Sequence, residues 1–308
     1  MKISIVTPTF NEIENIEKIY LEIKKKFKEM NYDYEHLIID NNSTDGTIKK
    51  IKDLAQNDKN LKVIINAKNY GHIRSPFYGL LQTNSDATIL MASDFQDPIE
   101  LIPRYIDEWK KGKKIVLGEK TSSEENKIKY SLRTIFYNFL NKISEFELPN
   151  NTTGSGIFDK TIIEKLKTIN DPYPYFRGLI AELGEDISTI EFKQPLRKSG
   201  KTKNNIFTLY DIGMLGIVKH SRKPLRFMTL IGFGASIISL LVGLIYLVYK
   251  LIFWDSFSLG IAPIVIGIFV VSSIQITLLG LVGEYIGIIL LHQRNMPLVI
   301  ENKRINFD

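Results

Sequence analysis

The 308-residue chain has no cysteine, so disulfide frameworks, thiolate metal sites and cysteine nucleophiles are excluded. Its four histidines, His36, His72, His220 and His292, fall at no metal-ligand spacing. Hydrophobic residues make up 44%, enough for one sizeable domain or two small ones, and the distribution of a net charge of +6 points to anionic lipid and phosphate ligands, with no nucleic acid.

The first 120 residues alternate strand-like runs with helical periodicity, the pattern of a mixed, mostly parallel α/β sheet. Strands are predicted at Ile3–Pro8, His36–Asp40, Leu61–Asn66, Ala87–Ala92 and Lys114–Gly118. Ile3 to Val6 is too short for the apolar core of a signal peptide and reads as strand. Ile16, Ile19, Tyr20, Ile23 and Phe27 recur at helical spacing, and Asn11 with Glu14 makes a capping box for that helix. Polar turns fall at three strand ends: Thr9 to Glu12, Asn41 to Gly46, and Ser93 to Pro98. Open α/β sheets bind ligands at strand carboxyl ends. Neither a Gly-x-Gly-x-x-Gly turn nor a Walker loop is present, which argues against dinucleotide dehydrogenases and P-loop NTPases.

Within Ser93-Asp94-Phe95-Gln96-Asp97-Pro98, Asp94 and Gln96 offer oxygen ligands of the kind taken by Mg2+ or Mn2+ beside phosphate. Asp97-Pro98-Ile99-Glu100 reads as a helix start with Asp97 as its cap. Further along, an amphipathic helix is expected over 127–146, and a shorter one from Lys160 to Ile169, stopped by Asp171-Pro172. A basic loop, Pro195 to Asn205, carries Arg197, Lys198, Lys201 and Lys203. It precedes an expected interfacial helix, Phe207 to Val218.

Phe227 to Tyr249 contains no charged residue, and neither does Ser256 to Gly283. At 1.5 Å per residue the first run is about 34 Å long, enough to cross a hydrocarbon core of about 30 Å. Both are expected to span the membrane. Gly232, Gly234, Ala235 and Ser236 in one, and Gly267, Ser272 and Ser273 in the other, would allow close helix contact within and between subunits, hence a homo-oligomer. Lys219, Arg222, Lys223 and Arg226 before the first run, and Arg294, Lys303 and Arg304 after the second, put both flanks in the cytoplasm. The division expected is a globular domain over 1–205, an interfacial helix and basic linker over 206–226, a two-helix membrane domain over 227–291 and a cytosolic tail over 292–308.

Taken in order, these motifs resemble the family 2 glycosyltransferases, in particular the membrane-anchored group that loads a sugar onto polyprenyl or dolichyl phosphate. Pro8-Thr9-Phe10-Asn11-Glu12 matches that family's Pro-x-Tyr/Phe-Asn-Glu turn. Asp40-Asn41-Asn42-Ser43-Thr44-Asp45-Gly46-Thr47 is similar to its Asp-Asp-Gly-Ser-Thr-Asp-Gly-Thr loop, Asn69-Tyr70-Gly71-His72 to its Asn-x-Gly turn, and Asp94-Phe95-Gln96-Asp97-Pro98 to its Asp-Leu-Gln-Asp-Pro. Ala92 stands where the family often has a first metal-strand acid, and Asn41 replaces a second acid in the nucleotide loop. Thr153 to Asp159 occupies the place where many relatives carry Gly-Asp-Phe-Arg, without supplying its acid.

The resemblance implies a GT-A domain, a UDP- or GDP-linked sugar as donor, and Mg2+ or Mn2+ held by Asp94 and Gln96. It implies catalytic roles for Asp94, Gln96 and Asp97, and donor contacts from Pro8, Thr9, Asn11, Glu12, Asp40, Asn42, Asn69 and Ser93. Arg133, Arg177, Arg197, Lys198 and Lys201 are the cations expected to hold the acceptor phosphate or leaving diphosphate. The expected reaction is an inverting, metal-assisted transfer to polyprenyl phosphate at the cytoplasmic leaflet, by an enzyme in contact with membrane lipid. Transfer to a lipid or glycan hydroxyl, with Asp97 as base, is one alternative. A non-catalytic membrane scaffold, prompted by Ala92, is the other.

Overall fold

The computed structural model describes residues 1–123, 152–195, 214–219, 221, 223–253 and 261–307. The expected helix over 127–146, Arg133, and the basic loop with Arg197, Lys198 and Lys201 lie outside the described residues. So does most of the expected interfacial helix, of which residues 214–218 form part of a short helical segment at 214–219.

Among the described residues eight strands make one sheet: β1 (Lys2–Thr9), β2 (Asp33–Asp40), β3 (Leu61–Asn66), β4 (Ala87–Leu90), β5 (Ile115–Ser123), β6 (Thr152–Asp159), β7 (Ile187–Gln194) and β8 (Glu301–Ile305). Their order is β7-β5-β6-β4-β1-β2-β3-β8. β1 runs parallel to β2 and β4, β2 to β3, and β5 to β7; the pairs β3–β8, β4–β6 and β5–β6 are antiparallel. The sheet is mixed and mostly parallel.

Side-chain alternation along the strands feeds two cores. On one face Ile3, Ile5, Ile38 and Val63 meet α1 (Ile16–Met30), α2 (Thr47–Gln56) and α4 (Leu101–Lys110). On the other, Val6, Leu37, Ile39 and Ile64 meet α3 (Gly71–Leu81), α5 (Lys160–Thr168) and α6 (Phe176–Glu182). Burial on both faces explains why β1 to β4 are rich in apolar residues. Close approach on the second face needs Gly79: a Cβ there would lie 2.8 Å from Val6 Cγ1. In β6, a Cβ on Gly156 would lie 2.2 Å from the Val116 carbonyl oxygen.

Helix starts differ from expectation in two places. Helix α1 begins after Asn15, and the Glu12 carbonyl accepts from the Asn15 and Ile16 amides at 3.0 and 2.9 Å. Glu12 and Asn15, joined by a 2.7 Å side-chain bond, replace the expected Asn11–Glu14 box. Helix α4 begins at Leu101 after Glu100, because the preceding residues close short turns, Leu101 N–H to Pro98 O and Ile102 N–H to Ile99 O. Asp97 is therefore not its cap. By contrast, Asp159 does cap α5, accepting from the Thr161 amide.

Two long helices follow, α7 (Lys223–Ile252) and α8 (Ile261–Gln293), with apolar side chains such as Leu230, Ile276 and Leu279 about 70% exposed. Among the described residues, Ile274–Gln293 is long and apolar enough to cross a membrane, by length and composition. Among the described residues a Cβ at Gly232, Gly234 or Gly267 would meet nothing within 4 Å.

Helix α8 is fastened to the sheet domain. Ile288 of α8 packs with Tyr175, Leu215 and Ile73, and Tyr285 donates to the Ser221 carbonyl at 3.0 Å. Lys219 and Asp171 form a buried ion pair at 2.5 Å, with His292 of α8 3.6 Å from the same carboxylate. After α8 the chain does not leave as a separate tail. It turns at Asn295, whose φ is 46°, and enters the sheet as β8. Asn306 then donates to the carbonyls of Ala55, Asp58 and Leu61.

Candidate functional site

From β1 the chain steps to β2 and β3 on one side, then returns to place β4 on the other side of β1. The crevice beyond the carboxyl ends of β1 and β4 is thus a topological switch point, where open α/β sheets take their ligands. The three polar turns anticipated from sequence all converge there. The Met91 amide donates to the Val6 carbonyl at 3.0 Å and Ser93 Oγ to the Pro8 carbonyl at 3.2 Å, which ties the end of β4 to that of β1. The Asn41 amide donates to the Thr9 carbonyl at 2.9 Å and ties in β2.

Each turn contains one non-glycine residue in the left-handed region: Asn11 at φ 56°, Asn42 at 64° and Phe95 at 59°. Asparagine tolerates this conformation; phenylalanine is strained there and is held by burial in the core.

The β1 and β2 turns are cross-braced. Asn11 N–H donates to Ser43 Oγ at 2.8 Å, Thr44 N–H to Asn11 Oδ1 at 2.7 Å, and Glu12 N–H to Thr47 Oγ1 at 3.0 Å. Asp40, wholly buried, accepts from Ser43 N–H at 2.8 Å and Ser43 Oγ at 2.6 Å. Burial raises its pKa above the ordinary carboxylate value, against the opposing pull of the Ser43 donors. Thr9 Oγ1 is buried and has no hydrogen-bond partner among the described residues.

Asn41 is the centre of a second network. Its Nδ2 donates to Asn69 Oδ1 at 2.8 Å and Gly71 O at 3.1 Å. Its Oδ1 accepts from Asn66 Nδ2 at 3.0 Å and the Tyr70 amide at 2.8 Å. The backbone groups fix the orientation, since Tyr70 N–H must donate and Gly71 C=O must accept. Here an amide does what an acid could not, which accounts physically for Asn41 in place of the family's second acid. Asn66 also donates to Ser75 of α3 at 3.0 Å.

From Met91 to Ile99 burial alternates. Met91, Ser93, Phe95, Asp97 and Ile99 are buried; Ala92, Asp94, Gln96 and Pro98 are half-buried. Asp94 Oδ1 accepts from the Gln96 amide at 3.2 Å, closing a tight turn around Phe95. The accessible oxygen donors are therefore those of Asp94 and Gln96, while Asp97 is only 4% exposed. Among the described residues no cluster of three or more His, Cys, Asp or Glu could hold a metal ion. One carboxylate and one amide suit a hard cation whose remaining ligands are phosphate and water, but would not retain it alone.

The sequence reading brought together Pro8, Thr9, Asn11, Glu12, Asp40, Asn42, Asn69, Ser93, Asp94, Gln96 and Asp97, and the fold gathers all of them around these turns. It missed Asn66, Ser75 and Arg74, whose part is played through α3. Arg177 is in the first turn of α6, next to Phe176, whose ring meets Phe77 and Phe158 edge-on.

Comparison with known proteins bears on the family and the fold. Bactoprenol glucosyl transferase of Shigella phage SfX is 31% identical over 299 residues, 96% of this chain and 97% of that protein. Among solved structures, mannosyl-3-phosphoglycerate synthase from Rubrobacter xylanophilus matches with a TM-score of 0.52 at 14% identity, over 75% of each chain. Glucosyl-3-phosphoglycerate synthase from Mycobacterium tuberculosis, solved with Mn2+, UDP and phosphoglyceric acid, matches with a TM-score of 0.50 at 18% identity, over 70% of this chain and 76% of that one. At such identities the solved structures bear on the fold alone, and they share its GT-A form. Residues 4–167, more than half of the sequence, match the family described as Glycosyl transferase family 2. With that match and a full-length relative above 30% identity, the chain belongs to glycosyl transferase family 2 and is a glycosyltransferase.

Proposed function

We propose that this glycosyltransferase moves a sugar from a UDP- or GDP-linked donor to the phosphate of a polyprenyl phosphate at the cytoplasmic face of a membrane. The observation that carries this reading is the direct fastening of the long apolar helix α8 to a sheet domain whose switch point gathers three oxygen-rich turns. The phage SfX relative, a bactoprenol glucosyl transferase, supports the acceptor class.

In this reading Thr9, Asn11, Asp40, Asn42 and Asn69, with Pro8, Glu12 and Ser93 shaping the turns, receive the nucleotide-sugar. Asp94 and Gln96 would hold Mg2+ or Mn2+ against the donor diphosphate, and the cation would supply charge neutralisation of the leaving group. The M. tuberculosis synthase with Mn2+ and UDP supports this choice of metal. A phosphate acceptor is ionised at neutral pH and attacks the anomeric carbon without a base, so the protein's task is in-line positioning. That agrees with an Asp97 that is buried while Asp94 and Gln96 are accessible. Arg177, with Arg133, Arg197, Lys198 and Lys201, would neutralise the acceptor phosphate and leaving diphosphate.

Both long helices are read as membrane spans. Because β1 and β8 share one sheet, the segment between them that enters the bilayer must return to the side it left, which supports two crossings with both flanks cytoplasmic. A homo-oligomer fits glycines that have open space around them among the described residues.

The test is transfer from radiolabelled UDP- and GDP-sugars to undecaprenyl phosphate in membranes containing the protein. Lipid-linked label released as free sugar by mild acid is expected. Label that resists mild acid, or that needs a hydroxyl acceptor, would replace this reading with the hydroxyl one; no transfer to either acceptor would overturn both acceptor readings.

A further inference from the structure

We propose that Arg74 is a positioning residue that couples the segment leaving the last membrane helix to the donor site. The proposal rests on reading the three turns as that site. Arg74 lies on α3, one turn from the Asn69-Tyr70-Gly71 segment. Its Nε donates to the Leu298 carbonyl at 2.8 Å and its Nη2 to the Pro297 carbonyl at 2.8 Å. Both carbonyls belong to the few residues between α8 and β8. The planar guanidinium suits two carbonyls side by side, because its fork presents parallel N–H groups.

The same guanidinium is 5.0 Å from the centre of the Tyr70 ring, within cation–π range. Tyr70 is buried, and its amide donates to Asn41 Oδ1 at 2.8 Å. The Gly71 amide donates to Asn69 Oδ1 at 2.8 Å, and Asn69 Oδ1 also accepts from Asn41 Nδ2. Two residues further along the tail, the Ile300 carbonyl accepts from the Ala67 amide at 2.9 Å. The stretch 67–74 is therefore gripped from the membrane side by residues 297–300 and from the site side by Asn41. Gly71, at φ 81°, gives this stretch a sharp corner that its neighbours must hold. A shift of α8 along its axis would be felt at Asn69 through Arg74, without any contact between the helix and the donor.

The test uses full-length protein in lipid nanodiscs, as wild type, Arg74→Ala and Arg74→Lys. Amide hydrogen exchange at Tyr70 and Gly71 should speed up by about tenfold in Arg74→Ala, while Ile5 and Ile38 in the central strands keep their protection. Binding of UDP and of GDP, each with Mn2+, should weaken by about tenfold for whichever nucleotide the wild type binds. Arg74→Lys should recover part of the loss, since an ammonium lacks the fork. In turnover assays the donor KM should rise while kcat stays within about twofold. Unchanged exchange at Tyr70 and Gly71, or accelerated exchange with unchanged nucleotide affinity, overturns the proposal. Uniformly faster exchange through the central strands would also overturn it, because the role would then be global stability. Wild-type protein that binds neither nucleotide overturns the donor-site reading itself, and with it the donor part of this proposal. The two failures are thus distinct.

Discussion

Replacing Asn41 by aspartate restores the acid common in the family, yet the structure says that this change should damage the protein. The substitution turns the Nδ2 donor into an oxygen that faces Asn69 Oδ1 and Gly71 O from 2.8 and 3.1 Å. Two hydrogen bonds at about 1 kcal/mol each are lost, and two acceptors are left against a buried charge at about 1–3 kcal/mol more, so the total is about 3–5 kcal/mol. At about 2–4 °C per kcal/mol for a domain of this size, the melting temperature should fall by roughly 6–20 °C. Protonating the carboxyl would return one donor, so the folded state should raise this group's pKa. The folded protein then binds the proton more tightly than the unfolded chain. The variant's deficit should therefore be smallest near pH 4 and grow as pH rises through the raised pKa. Thermal unfolding at pH 5 and pH 8, with donor KM measured alongside, checks both the size and the sign. A melting point within 2 °C of wild type at pH 8, or a larger deficit at pH 5 than at pH 8, would refute the donor-and-acceptor role assigned to Asn41.

Asp94→Ala should lower kcat by about 10²- to 10³-fold with the fold intact by circular dichroism, and EDTA should act alike and reversibly; full activity in EDTA would remove the cation from the site. His36, wholly buried and bonded to Thr7 Oγ1 at 2.9 Å, has its imidazole pushed by burial down to about 3. The unfolded chain takes up that proton below about pH 6.5 and the folded one does not, so about 2 kcal/mol of stability should be lost between pH 7 and pH 5. Denaturation of His36→Gln should show a flatter pH dependence; an equal slope would assign the effect elsewhere. Gly156→Ala drives a methyl to 2.2 Å from the Val116 carbonyl and should cost about 3 kcal/mol or more, read as a lower denaturation midpoint.

The strands β1 to β4 were legible in the sequence because burial on both faces demands short runs rich in apolar residues, and their polar carboxyl-end turns marked the site. What escaped was whatever lacked such a run. The strand β8, Glu-Asn-Lys-Arg-Ile, is mostly exposed, and its stability comes from pairing with β3 and from Arg304 bridging Glu301 and Gln82. Helix α3 carries Pro76 and Gly79, residues that ordinarily argue against a helix; the glycine is there to let the helix lie close on Val6 and Ile39. The roles of Asn66, Ser75 and Arg74 depend on partners between 9 and 224 positions away, and no local pattern announces them. Asp97 was misread as a cap because its local signature is that of a cap, whereas the fold buries it and starts the helix at Leu101.

Strand β8 also bears on the order in which the protein is made. It follows α7 and α8 in the chain, yet it covers β3, which would otherwise be an open edge of the sheet. During synthesis β1 to β7 emerge first, and the outer backbone groups of β3 from Val63 to Asn66 have no partner until both apolar helices have been delivered. An uncovered edge of that kind recruits other strands, including those of neighbouring nascent chains. Closure of the sheet thus waits on synthesis of both helices. A molecule cut short before β8 would keep an open β3 edge and a sticky sheet domain, prone to aggregation and open to proteolysis.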